Sequence, residues 1–334
     1  MQPITPSKSD PTVVVCGSIH QDTLVKVDSV PPEGGTLIVD DGVISLGGKG
    51  ANQAVAIAFD EVRAIMAGTV GEDRAADFVI EELNSHGVEV HSINTSWDLP
   101  TGSAFVATNK QGRPVIFVQR GADALTDPTD FTDDFATADI VLAQGELLPE
   151  ATEAIASVAS MYNARLVLNL NPVSIVTPAL IDHANPLIVN KKGMWETLRR
   201  LDISEGILAS DFGSQIRALL QYSPSVIMLR GEDGCLYSEA PQNSREEATI
   251  YEHPALLLPA EKVVDGTGSG DAFVGTLTAE LAKGSSLADA VQLATAAGAA
   301  AVQAVGACAA FAPREKLLEM IQAEDFPRAR VFEG

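Results

Sequence analysis

Asp265-Gly266-Thr267-Gly268-Ser269-Gly270-Asp271-Ala272-Phe273 is the stretch whose reading decides the fold. Three glycines alternate ahead of an apolar, helix-compatible run from Ala272 to Leu281. The backbone can therefore turn tightly and start a helix whose first N–H groups are bare. Such a helix end holds anions, because unpaired N–H groups and the positive pole of the helix dipole attract phosphate. Asp271 is the odd member. A carboxylate there would repel a resting phosphate, so it points to a use on the group that attacks the phosphate. Phosphoryl transfer to a hydroxyl needs those parts: an acceptor for the hydroxyl proton and preorganised donors where charge collects. A plainer reading also fits, with Asp271 as an N-cap and the glycines as a loop. Two standard motifs are excluded: no G-x-x-x-x-G-K-[ST] occurs, and Phe273 stands where the dinucleotide fingerprint needs its third glycine.

Far upstream, Gly47-Gly48-Lys49-Gly50-Ala51-Asn52-Gln53-Ala54 repeats the theme, opening a helix that runs to about Phe59. Glycines allow close backbone approach, while Lys49 and Asn52 place a cation and a two-way hydrogen bonder at a helix start. Sugar hydroxyls want such partners. The β-branched run Thr12 to Cys16 reads as a buried strand, with Gly17-Ser18-Ile19-His20-Gln21-Asp22 just past its carboxyl end, where α/β sheets place ligand groups. His20 and Asp22 are site candidates, with a surface turn as the alternative. Strands over Arg63 to Val70, Val88 to Asn94, Ile140 to Ala143, Leu166 to Leu170, Leu187 to Val189 and Ser225 to Leu229 alternate with helices over Glu72 to His86 and Pro149 to Asn163. This βαβ rhythm implies an α/β fold with a mostly parallel sheet. Two hairpins interrupt it, one from Leu24–Val27 and Leu37–Ser45, the other from Ser103–Asn109 and Pro114–Gln119 around Lys110-Gln111-Gly112-Arg113. They suggest a small β lid, about 22–47 and 98–120. A short strand pair is expected between Cys235 and His253, and an alanine-rich helix from Leu287 to Val305.

The 334 residues, 46% hydrophobic, suffice for one large domain or two ordinary ones; with no linker or repeat, 12–334 reads as one domain. Residues 1–11 are polar, lack an apolar core, and read as a flexible tail and not a secretory signal. Cys16, Cys235 and Cys308 are scattered, which suits a reducing, cytoplasmic setting and not a disulfide framework or zinc site. The alanine-rich Leu287 to Ala312 carries Asp289, Gln292 and Gln303 and falls short of a membrane span. A charge of −23, from 22 basic and 45 acidic residues, disfavours nucleic acid and anionic membranes. Any polyanionic substrate must then find helix N-termini, Lys49 or bound cations.

Gly47 to Ala54 and Asp265 to Phe273 together resemble the two signatures of the ribokinase (phosphofructokinase B type) family of carbohydrate kinases, in the form ribokinases use. The resemblance extends from about Val13 to Pro313. It implies a three-layer α/β/α sandwich with a β-sheet lid, and an ATP-dependent transfer of the γ-phosphate to a primary hydroxyl, D-ribose O5 first. It implies Asp271 as base and Gly268, Ser269 and Gly270 as anion hole. His20, Asp22, Gly48, Lys49, Asn52 and Glu146 match sugar-holding positions. Asn190, Leu229, Gly231, Gly234, Thr267 and Thr295 match positions around nucleotide and Mg²⁺. The resemblance also implies a K⁺ site on Asp265, Thr267, Ala301, Ala304, Gly306 and Ala310, and a homodimer through the lid.

Departures from the family pattern are local. Ribokinases carry Asn where this chain has His20. The Asn-x-x-Glu element reads Asn190-Lys191-Lys192-Gly193, with Glu196 one turn further on. Leu229 replaces a hydroxyl or lysine, Thr295 a His or Asn near the adenine, and Ala310 a serine. Other sugars or nucleosides, and a sugar or nucleotide binder without turnover, therefore stand as alternatives. An oxidoreductase is weaker, since Gly17-Ser18-Ile19-His20 lacks the phosphate-binding glycines.

Overall fold

Strands buried on both faces build the centre of the molecule. In the computed structural model, residues 10–109, 114–241 and 247–333 are described. The expected hairpin tip Lys110 to Arg113 and the first nine residues of the expected tail lie outside them. In chain order the strands are β1 (Thr12–Cys16), β2 (His20–Lys26), β3 (Gly42–Gly47), β4 (Arg63–Gly71), β5 (Glu89–Ser96), β6 (Gly102–Thr108) and β7 (Pro114–Gln119). They continue as β8 (Ile140–Gln144), β9 (Arg165–Asn169), β10 (Ala184–Asn190), β11 (Ser225–Leu229), β12 (Cys235–Glu239), β13 (Tyr251–His253) and β14 (Arg330–Val331). The main sheet runs β14-β13-β12-β11-β10-β9-β8-β1-β4-β5. It is parallel from β11 to β5 and antiparallel beyond β11.

Side-chain alternation sorts each central strand between two cores. Val13 and Val15 of β1 pack with Ile57, Val79, Leu277, Val291 and Leu317, so helices 49–59, 74–85, 269–282, 287–301 and 314–322 cover one face. Val14 and Cys16 pack with Ile155, Ile181, Met194 and Ile216 from helices on the other. Three layers result, as the family resemblance implies.

The two hairpins form one lid. β2 pairs antiparallel with β3 and parallel with β6, which pairs antiparallel with β7. β2 starts at His20, earlier than its apolar pattern indicates, because both neighbours offer ladder partners there. Leu37 to Asp41, expected as strand, is not in one; Pro31 and Pro32 begin a long open connection ahead of β3. The helix expected to Val305 stops at Ala301, where the Val302 carbonyl turns to accept from Val264 N (2.8 Å) and Asp265 N (3.3 Å). Among the described residues no helix is long and apolar enough to cross a membrane.

Two helices converge on the carboxyl ends of the strands. Ser269–Ala282 crosses Lys49–Phe59 so closely that a Cβ on Gly275 would lie 2.4 Å from Ala56 Cβ. At their far ends a buried ionic cluster joins them. Arg314 meets Asp60 Oδ1 at 2.8 Å and also Glu280, while Lys283 Nζ lies 3.2 Å from both acids.

Candidate active site

The glycine-rich stretch reaches its helix through Gly268, an N-cap with φ 74° and no side-chain cap. Only glycine suits it: the conformation is left-handed, and a Cβ would meet Ala307 Cα at 2.7 Å. Ser269 and Gly270 are the first helical residues, and Ser269 Oγ is turned back to Gly266 O (2.9 Å). The helix start has no capping side chain, and of its first N–H groups that of Ser269 makes a long turn bond to Gly266 O (3.4 Å). An uncapped start is the anion-binding geometry the spacing implies.

Asp271 follows in the first turn and is buried. Its Oδ1 accepts from Gln53 Nε2 (2.9 Å) and its Oδ2 from Asn52 Nδ2 (3.1 Å), with Lys49 Nζ 3.9 Å from Oδ1. The plain N-cap reading therefore fails, since the N-cap is Gly268 and the carboxylate points across to the other helix. Gln53 Oε1 accepts from Gln144 Nε2 (2.9 Å), which fixes its amide so that the nitrogen faces Asp271. The Cys308 thiol donates to Asn52 Oδ1 (3.1 Å) and does the same for Asn52. Gln53 is visible in the sequence motif, but Gln144 and Cys308 reach the site from distant segments.

Asn52, Lys49 and Gly48 sit at the start of the Lys49–Phe59 helix, and Glu146 caps it. Glu146 Oε2 accepts from Lys49 N (2.9 Å) and from Ser18 Oγ (2.5 Å). Burial would raise the Glu146 carboxyl, but Lys49, His20 and these two donors hold it below the usual range. Asp271 foremost, with Glu146, holds the Lys49 ammonium above its usual range against burial. Asp22 joins them from the lid, its Oδ1 accepting from Ala104 N (3.1 Å). His20, expected as a turn residue facing a sugar, instead opens β2 with its ring 2% exposed and its Nε2 2.6 Å from Asp123 Oδ2. Asp22, Gly48, Lys49, Asn52, Glu146 and Asp271 are thus gathered on one side of the helix start, with His20 beneath Asp22.

On the other side lies a cavity of about 400 Å³ lined by Leu229, Gly231, Gly234, Ser269, Gly270 and Thr295, among others. The Thr295 hydroxyl is already used within its helix, donating to Val291 O (2.9 Å). Asn190, at the end of β10 beside Leu229, is outside this lining; its side chain caps the next helix through Gly193 N (2.7 Å) and bonds Asn171 (3.1 Å). Glu196 is about one turn past Gly193 and pairs with Lys192 at 3.5 Å. Lys191 ties to Asp233 in the Gly231–Asp233 turn (2.6 Å).

Asp265 knits the expected cation loop. Its Oδ1 accepts from Thr267 N (2.9 Å) and Oγ1 (2.7 Å), and its Oδ2 from Gly306 N (3.0 Å). Both carboxylate oxygens are engaged, so a cation here would meet chiefly backbone carbonyls; Ala301, Ala304 and Ala310, on the adjoining helix end and turns, have no side-chain oxygen to add. Among the described residues no three His, Cys, Asp or Glu side chains converge as a metal-holding group.

The model of the pfkB family of carbohydrate kinases matches residues 10–314. The chain belongs to that family. This kinase is 26% identical over 313 residues to the ribokinase of Bacillus subtilis (strain 168), covering 92% of this chain and 99% of that one. Its structure is similar to that of Arabidopsis thaliana ribokinase complexed with ribose and ATP, with a TM-score of 0.81 at 24% identity, covering 95% of this chain and all of the other. It is also similar to ribokinase from Cryptococcus neoformans var. grubii serotype A in complex with ADP, with a TM-score of 0.75 at 26% identity over 93% and 99% of the two chains. The ribokinase fold, with its separate small sheet, is the fold of this carbohydrate kinase.

Proposed function

We propose that this kinase transfers the γ-phosphate of ATP to a primary hydroxyl of a sugar, D-ribose first, giving the 5-phosphate. The observation that carries this is the placement of Asp271. Its buried carboxylate meets Lys49, Asn52 and Gln53, while Ser269 and Gly270, the two residues before it, line the 400 Å³ cavity. Asp271 takes the proton of the attacking hydroxyl, Lys49 balances its charge, and Asn52 and Gln53 keep it aimed. Asp22, Lys49, Asn52 and Glu146 hold the sugar, and the amides at Gly268, Ser269 and Gly270 collect the charge of the transferred group. The lid excludes water. The relatives complexed with ribose and ATP, and with ADP, support this choice of ligands.

Magnesium would come mainly with nucleotide oxygens and water, near Asn190, and would neutralise phosphate charge. A monovalent cation would sit on carbonyls of the Asp265, Thr267, Ala301, Ala304, Gly306 and Ala310 loops. Gly193, where the family places a carboxylate, supports a slow kinase as the second reading. Exposed Phe105 and Phe117, opposite each other on one face of the lid, and Ile116 and Val118 on its other face give the lid apolar surface and support a homodimer through it. Light scattering at micromolar protein then gives a dimer; a monomer refutes that assembly. For the reaction, ADP release is measured with ribose, other pentoses, hexoses and nucleosides. Ribose is expected to give the highest kcat/KM, and no release with any acceptor rejects the kinase reading.

A further inference from the structure

Asp123 belongs to no motif of the sequence, yet only 1% of its surface is exposed. It lies in the short turn Gly121–Leu125, where the chain returns from β7 to the main body. Its Oδ1 accepts from Ile19 N (3.0 Å) and its Oδ2 meets His20 Nε2 (2.6 Å). One carboxylate thereby grips the residues through which the chain leaves β1 for the lid. His20 is the root of that lid, pairing with Gly47 on one side and Gly102 on the other. Both partners are glycines for want of space. A Cβ on Gly102 would lie 2.4 Å from His20 Cδ2, and one on Gly47 would lie 2.1 Å from the Asp22 carboxylate. The second ring nitrogen, Nδ1, faces Asp22 Oδ1 at 4.0 Å.

We propose that Asp123 is a positioning residue of the acceptor pocket, acting through His20 to keep Asp22 ionised and aimed as an acceptor for sugar hydroxyls. The inference rests on the kinase reading for its substrate, but not for its electrostatics. Burial alone would strip the proton from His20. The hydrogen bond to Asp123, with the charges of Asp123, Glu146 and Asp22, holds the ring above its ordinary value. Burial pushes Asp22 up to about 6, Glu146 and Asp271 push the same way, and His20 and the Ala104 N–H pull it down. Loss of the ring's charge therefore lets Asp22 rise further, into the range where it is protonated near neutrality. A protonated Asp22 loses acceptor capacity, so the sugar KM rises as pH falls through that value.

Asp123→Asn keeps the shape and an acceptor for Ile19 N while removing the charge. Carboxylate NMR on the full chain, without sugar or nucleotide, is expected to move the Asp22 midpoint upward by about one pH unit, a tenfold change in proton affinity. In turnover the acid limb of kcat/KM for sugar moves the same way, with a several-fold higher sugar KM at pH 7 and a nearly unchanged kcat and nucleotide KM. Should that variant not fold, His20→Asn, which also removes the ring's charge, must raise the Asp22 midpoint likewise. An unmoved midpoint in a folded variant overturns the proposal. A wild-type chain that phosphorylates no sugar rejects the kinase reading instead, and the Asp22 titration still decides the role of Asp123.

Discussion

The two sides of the Ser269–Ala282 helix start are built from different materials. The side proposed for the acceptor consists of side chains: Asp22, Lys49, Asn52, Glu146 and Asp271, buried or half-buried and cross-linked by hydrogen bonds. The side proposed for the nucleotide is lined mostly by glycine backbone and small or apolar groups such as Leu229 and Thr295. The difference teaches where selectivity resides. A neutral polyol is distinguished by directed hydrogen bonds, so its pocket needs specific acids and amides. A phosphate chain is gripped by whatever amides a helix end exposes, so its pocket needs shape and the absence of side chains.

The comparison breaks first at Asp271. Asp271→Asn keeps the bonds from Asn52 or Gln53 in part but cannot take a proton, so kcat is expected to fall about 10²–10⁴-fold with sugar KM nearly unchanged, in steady-state assays. An unchanged kcat would remove the base. On the phosphate side, Gly268→Ala costs about 1–3 kcal/mol of backbone strain and lowers kcat about 10²-fold through the displaced amides, read by thermal melting and turnover together. Loss of stability without loss of kcat would show that the amides do not touch the transferred group. Replacing K⁺ by Na⁺ is expected to slow turnover several-fold, and equal rates would count against a cation on the Asp265 loop. Thr295→Ala, whose hydroxyl is satisfied inside its own helix, should change nucleotide KM less than about twofold; a larger change would mean that a side chain reads the base after all.

The same contrast governs what the sequence reveals. Gly268, Ser269, Gly270 and Asp271, like Gly48, Lys49 and Asn52, are legible because turn, helix start and functional group lie within a few residues of one another. The parallel sheet is legible because β1, β8 and β11 are short apolar runs bounded by turn residues. Asp123 is not legible. It is one acid among 45 acidic residues, and its partner His20 lies a whole lid away in the chain. Gln144 and Cys308 are hidden for the same reason, since each acts on a residue of a distant helix. The start of β2 at His20 escapes the pattern because its neighbours β3 and β6, not its own side chains, set the ladder there. Local chemistry is written locally; what aims it is written elsewhere.

The buried cluster of Asp60, Glu280, Lys283 and Arg314 fastens together the far ends of the two helices whose near ends carry Lys49, Asn52, Gln53 and Asp271. From Asp271 to Glu280 is about 14 Å along the helix. Pinned there and touching at Gly275, the pair is held at two points along its length, which fixes the spacing of the near ends. The alignment of Lys49, Asn52 and Gln53 with Asp271 is therefore set in part by charges remote from the candidate site.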